Sequence, residues 1–324
     1  MMTVYLTIDT EYSSGLVEGT RLSDRAENYA RSIACISPEG PIGIPHKLRL
    51  LEEYGQKAVF FVDPMPALVW GVAAIEDVVA PILEAGQDVQ LHCHTEWLEI
   101  AGADNPFGGR TGTNIADFAF EDQCRILEYA RDTLVAAGAP MPVAFRAGNY
   151  GANDDTLRAL AEIGIAYDTS FCPAIPDGDC KISLTQDDLV PIAHCNVIEV
   201  PIGSIGAVGG GLRHAQLTAL SLREMRAAVR HARDAGQQQF TFVSHSFELF
   251  NRRTLAANKI VRRRFDGLCR DLKSMRRVRT GNYRDDPPAI APQALQAEPL
   301  PADPIRTGLR VAEQLVSNTL YGAL

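Results

Sequence analysis

Gly55-Gln56-Lys57-Ala58-Val59-Phe60-Phe61-Val62-Asp63 carries the architecture of this chain in miniature. An apolar helical pattern stops at the glycine, and an apolar run suited to a pleated strand ends at a carboxylate. A glycine just past a helix accepts the left-handed conformation that closes it. Aromatic and β-branched residues favour the strand that follows. Outward from this unit the pattern recurs. Gly86 precedes Asp88-Val89-Gln90-Leu91, which runs into His92. Gly138 precedes Val143-Ala144-Phe145, which runs into Arg146. Gly164 precedes Ile165-Ala166-Tyr167 and Asp168, and Gly236 precedes Phe240 to Ser244 and His245. The first strand, Val4 to Ile8, ends at Asp9, and a further strand is expected at Val197 to Val200, stopped by Pro201. Strand after helix after strand implies parallel βα units. In a parallel barrel the residues at strand C-terminal ends surface on one face, where chemistry is built.

The count is about seven strands and six or seven helices, an α/β class. Helices are expected at 45–54, 75–85, 119–137, 154–163, 222–235 and 252–275. Ser221-Leu222-Arg223-Glu224 is a capping box, and Asn153 is an N-cap for the helix holding Leu157 and Leu160. The barrel takes residues 1–281. Residues 282–324 form a Pro-rich linker and a last helix, Ile305 to Leu320, expected to dock on the barrel or on a second copy of the chain. Three long connections, 10–44, 93–117 and 201–220, follow strand ends and fall on the proposed active face.

The chain has 324 residues with 46% hydrophobic content, enough to fill the core of one barrel. A net charge of −9 excludes a general nucleic-acid binder, which needs a basic field. No apolar run approaches the ~18 residues of a membrane span. With no basic and apolar leader pattern ahead of Thr3, a cytoplasmic location is expected. The seven cysteines include no C-x-x-C pair, so reduced thiols are expected.

Four clusters carry the chemistry. In Thr7-Ile8-Asp9-Thr10-Glu11 the two acids share a side of an extended chain, suiting one as metal ligand and one as general base. In His92-Cys93-His94-Thr95-Glu96 the two imidazoles also share a side, and imidazole is a common ligand for zinc and similar ions. Glu96 comes next to His92 if the chain turns helical there. Arg146 ends a strand and is followed by Ala147-Gly148-Asn149-Tyr150-Gly151; it can clamp a carboxylate in two-point geometry. His245 ends the last core strand in Val243-Ser244-His245-Ser246-Phe247-Glu248, the placement of a general acid.

In that order the clusters resemble the motifs of the polysaccharide deacetylase family, the NodB-homology carbohydrate esterases, over about residues 3 to 250. Thr7 to Glu11 looks like a D-x-E form of the family's T-F-D-D-G. His92 matches the first histidine of H-[ST]-x-x-H, but Glu96 stands four residues later and His94 two later, the form of a divergent subgroup. Arg146 to Gly151 is similar to R-x-P-[YF]-G with one residue extra and no proline, and Val243-Ser244-His245 is similar to L-x-H. The resemblance implies a distorted, incomplete (β/α)7-type barrel and a divalent metal, zinc first, held by Glu11, His92 and His94. It implies Asp9 as base oriented by Arg146, an oxyanion contact near Tyr150, and His245 protonating the leaving amine. The implied substrate is a small N-acylated sugar or sugar conjugate that loses its acyl group, acetyl first. Two other readings stand beside it: a catalytically degenerate barrel that binds carbohydrate, and a metal-free amidohydrolase of the same fold.

Overall fold

The computed structural model describes residues 1–17, 21–290 and 297–322. Its main sheet is organised around β1, Met2–Thr10, every residue of which is buried. On one side β1 pairs along its length with β8, Gln239–His245, in parallel register from Thr3↔Gln239 to Asp9↔His245. On the other side its upper half pairs with β2, Val59–Val62. The parallel run continues through β3 (Asp88–Cys93), β4 (Ala144–Ala147), β5 (Tyr167–Asp168) and β7 (Val197–Glu199). The strand ends expected from the glycine pattern therefore share one face.

Two strands of this sheet were not expected. β6, Ile192–His194, pairs antiparallel with β7 at the sheet edge, and β9, Val278–Thr280, pairs in parallel with the lower half of β1. Neither carries a buried alternating pattern: β6 is nowhere fully buried, and β9 lies among the arginines Arg276, Arg277 and Arg279. The sheet does not close. Between β7 and β8 the connection after Pro201 fills the gap with isolated bonds, Ile202 N–H to the Phe171 carbonyl (3.0 Å) and Gly203 N–H to that of Thr241 (3.0 Å). The architecture is thus an incomplete, strongly curled barrel, as expected.

The helices α1 (Ile44–Tyr54), α2 (Ala73–Glu84), α3 (Phe120–Ala136), α4 (Asp154–Glu162) and α5 (Leu222–Asp234) follow the expected boundaries within about two residues. Gly55 closes α1 in the left-handed region, φ 64°. Asn153 and Ser221 cap α4 and α5 by accepting the Thr156 and Glu224 N–H groups. The helix expected over 252–275 is shorter. α6 is Lys259–Ser274, capped by Asn258, because Asn251 Oδ1 accepts the N–H groups of Arg253 and Thr254 and folds 250–257 into a hairpin. Two of the long connections also contain short helices, at Arg21–Asn28 and Trp97–Ala101, and a further short helix, Ala67–Trp70, lies between β2 and α2.

The base of the barrel is aromatic. Tyr283, just beyond the expected barrel boundary, is buried against Tyr5 (5.1 Å between ring centres), Tyr167 (5.6 Å) and Phe61 (6.0 Å). Each such side chain contributes about 1.5–3 kcal/mol through burial. Residues 291–296 of the expected linker lie outside the described residues. The last helix, α7 (Pro304–Tyr321), rests on the barrel through polar contacts, Arg264 Nε to Glu313 (2.6 Å) and Asn258 Nδ2 to Ser317 Oγ (2.9 Å). Its apolar residues point away: Ile305 is 74% exposed and Leu320 64%. Among the described residues, α7 thus meets the barrel by its polar side and not by the apolar residues whose spacing marks the helix.

Candidate active site

The open face of the sheet brings the four clusters together. Asp9 is buried and accepts a hydrogen bond from Arg146 Nη1 at 2.6 Å. Its second oxygen faces His245 Nε2 at 3.7 Å. Arg146 is fully buried and held by every part of its fork: Nη1 also donates to Thr7 Oγ1 (2.9 Å), Nε to the Thr169 carbonyl (3.1 Å) and Nη2 to Thr169 Oγ1 (3.3 Å). The guanidinium lies over the Phe61 ring at 4.5 Å. Burial opposes its charge, but Asp9 more than restores it.

Glu11, His92 and His94 form a second group, with candidate ligand atoms all within 4.8 Å of one another. Glu11 Oε2 lies 3.1 Å from His92 Nε2 and 2.7 Å from His94 Nε2. His92 Nδ1 is 2.6 Å from the Arg146 carbonyl, which can only accept. The Nδ1 proton is therefore fixed and Nε2 is aimed at Glu11, the orientation a metal ligand needs. His94 Nδ1 is held likewise by Glu96 at 3.1 Å. Burial works against the charge of Glu11, but His94 and His92 hold its carboxyl well below the usual range; burial also opposes the charge of His94, yet Glu11 drives it well above. The donor set, two imidazoles and a carboxylate with both outer nitrogens anchored, fits a divalent cation such as zinc.

Glu96 does not sit beside His92. It lies behind His94, with its other oxygen accepting from Asn149 Nδ2 at 3.2 Å, so it orients a candidate ligand instead of joining the set. Gly148 makes the close packing feasible, since a Cβ there would lie 2.7 Å from the His94 ring. Asn149 and Tyr150 both take positive φ, 55° and 57°, and the Tyr150 ring packs on Cys172, Ile202 and Val243.

Three groups of the site had no role in the sequence reading. Glu248 Oε1 lies 3.1 Å from His245 Nδ1 and also accepts from Gln216. Burial resists the charge of both, yet their contact raises His245 to about 8 and lowers Glu248 to about 2. Lys47, fully buried on α1, donates to Ser244 Oγ and to the His245 carbonyl, each at 2.6 Å. Burial lowers its pKa to about 8. Asp63 is buried near the histidines with one oxygen unpartnered, and burial raises it to about 7. Asp63 and Glu248 follow strand ends, a signal visible in the sequence; Lys47 lies within a helix and carries none.

No family model matches the chain, and no curated protein does. Solved structures do. A Mycobacterium smegmatis protein assigned as a polysaccharide deacetylase superposes with a TM-score of 0.55 at 16% identity, over 91% of this chain and 96% of that one. A family 4 carbohydrate esterase from Streptomyces lividans, solved with acetate, aligns over 92% of this chain and 98% of its own, at 12% identity and a TM-score of 0.43. The first likeness is one of fold, and at that level the chain is similar to a polysaccharide deacetylase. Among the described residues no helix is long and apolar enough to cross a membrane, and the cysteines are free.

Proposed function

We propose that this chain is a metal-dependent hydrolase that removes an N-acyl group, acetyl first, from a small N-acylated sugar or related amide. The observation that carries the reading is Asp9: a buried carboxylate clamped by Arg146, facing His245, beside a carboxylate and two imidazoles with anchored outer nitrogens. Glu11, His92 and His94 would hold the ion, zinc first, which when bound polarises the acyl carbonyl and makes water more acidic. Asp9 accepts the proton of the attacking water through the oxygen that Arg146 leaves free. Arg146 keeps that carboxylate in place and ionised. The backbone at Tyr150 is the candidate oxyanion donor. His245 enters the reaction protonated, since Glu248 holds its Nδ1 and raises it to about 8, and gives its Nε2 proton to the leaving amine. The exposed apolar residues of α7 make that helix the surface proposed for self-association.

Metal analysis of the purified chain, followed by acetate release from N-acetylated sugars, tests the reading. Stoichiometric metal and release are expected. His245→Ala should lower turnover by a factor on the order of 10²–10⁴ while metal content stays the same. Full turnover after exhaustive chelation would select the metal-free reading, and neither metal nor release the binding protein.

A further inference from the structure

The cleft beside His245 continues away from the acids onto the hairpin formed by Phe250–Asn251 and Ala256–Ala257. It encloses about 650 Å³ and is lined by Gln216, His245, Phe247, Glu248, Arg252 and Arg253, among others. The hairpin is braced on both sides. Asn251 Oδ1 accepts the N–H groups of Arg253 (2.9 Å) and Thr254 (3.0 Å), while its Nδ2 donates to the Tyr321 carbonyl of α7 (2.7 Å).

Arg252 stands at the centre of this wall. Its guanidinium lies over the Phe247 ring at 4.3 Å, and Phe247 lies against the His245 ring at 5.3 Å with 33° between the planes. The three side chains form a column that starts at the candidate general acid. Stacking occupies one face of the guanidinium. The N–H donors lie in the plane, so their edge remains free.

That edge has no counter-ion. Arg252 is half-buried, and burial pulls it below the usual guanidinium range. Among the described residues its side chain forms no ion pair and no hydrogen bond; in its neighbour in the wall, Glu248, Oε1 is taken by His245 and Gln216, and the buried Oε2 makes no hydrogen bond. Glu11, the carboxylate whose charge acts on Arg252, is taken by His92 and His94. A surface arginine can leave its fork in water at little cost. One fixed on a braced turn, stacked, partly dehydrated and aimed along a reaction cleft is placed to meet an oxyanion.

We propose that Arg252 is an oxyanion subsite of this cleft, and that the substrate is an acylated sugar carrying a carboxylate or phosphate one aromatic layer from the scissile amide. The proposal rests on the hydrolase reading for the word substrate, but its test does not. Calorimetric titration of the full chain with N-acetylglucosamine, its 6-phosphate and N-acetylmuramic acid compares a neutral sugar with a phosphate and a carboxylate. The wild-type chain should bind one of the two anionic sugars about 10–100-fold more tightly than the neutral one. The arm that responds identifies the oxyanion. Arg252→Ala should abolish the preference, and Arg252→Lys, which keeps charge without the fork, should restore only part of it. Equal or undetectable binding of all three by the wild-type chain, or a preference that survives in whichever Arg252 variant folds, overturns the proposal. Acetate release is scored separately. An anion preference without release removes the hydrolase and leaves the subsite; release from all three sugars at equal kcat/KM removes the subsite and leaves the hydrolase.

Discussion

The two halves of the site are held in opposite ways. Around Asp9, each group has its own partner: Arg146 bridges β1 and the loop after β5, His245 pairs with Glu248, and Lys47 supports the His245 backbone. Around Glu11, two imidazoles converge on a single carboxylate oxygen, each anchored only from behind. In the first half the opposite charges are matched pair by pair, Arg146 to Asp9 and His245 to Glu248. The second concentrates donor atoms in one place, which is what a cation needs and what an uncharged core avoids. Rigidity therefore belongs to the groups proposed to move protons, and convergence to the groups proposed to gather charge.

Breaking the rigid half should cost most. Arg146→Ala leaves Asp9 buried without its partner and should lower unfolding stability by about 3–5 kcal/mol, measured by urea denaturation. An unchanged midpoint would mean that Asp9 escapes its burial. The His245–Glu248 pair should show a smaller, pH-dependent effect. His245 is raised to about 8, so its contribution is complete below its ordinary value near 6.5 and is lost as pH rises through about 8. Glu248 is lowered to about 2, so its contribution is complete above its ordinary value near 4.5 and is lost as pH falls through about 2. The stability gap between wild type and Glu248→Gln should thus be widest near pH 5–6, on the order of 2 kcal/mol, and narrow above pH 8. A gap independent of pH would show that the pair is not ionised. The convergent half yields the most selective change. Glu96→Gln should weaken metal affinity by about 10–100-fold, read by competition with a chelator, with little effect on folding. An unaltered affinity would remove Glu96 from the support of His94.

The strand ends were legible because two local rules coincided, glycine closing a helix and an apolar run ending in a charge. Those rules placed Asp9, His92, Arg146 and His245 on one face before any coordinates. They failed where local pattern and tertiary role part company. β6 is an edge strand with no buried face, and β9 reads as a basic run, so neither shows a strand period. Lys47 sits in an amphipathic helix, where lysine ordinarily marks the wet side; only the approach of α1 to the end of β8 turns it inward. Glu96 shows the limit of spacing. Its distance in sequence from His92 suggested a shared face, but the chain after β3 turns so that it meets His94 instead. The apolar spacing of α7 likewise indicated a helix and not the side on which it would rest.

The pairing of β1 has a consequence for synthesis. β1 bonds along one edge to Gln239–His245 and along the other, at its lower end, to Val278–Thr280, segments that follow it late in the chain. Until those late segments are made, this strand, buried along its whole length in the fold, lacks its partner on one flank. Contacts of such long sequence separation fold slowly and expose unsatisfied edges meanwhile. The candidate site, which needs Asp9 beside His245, is therefore among the last parts to take shape.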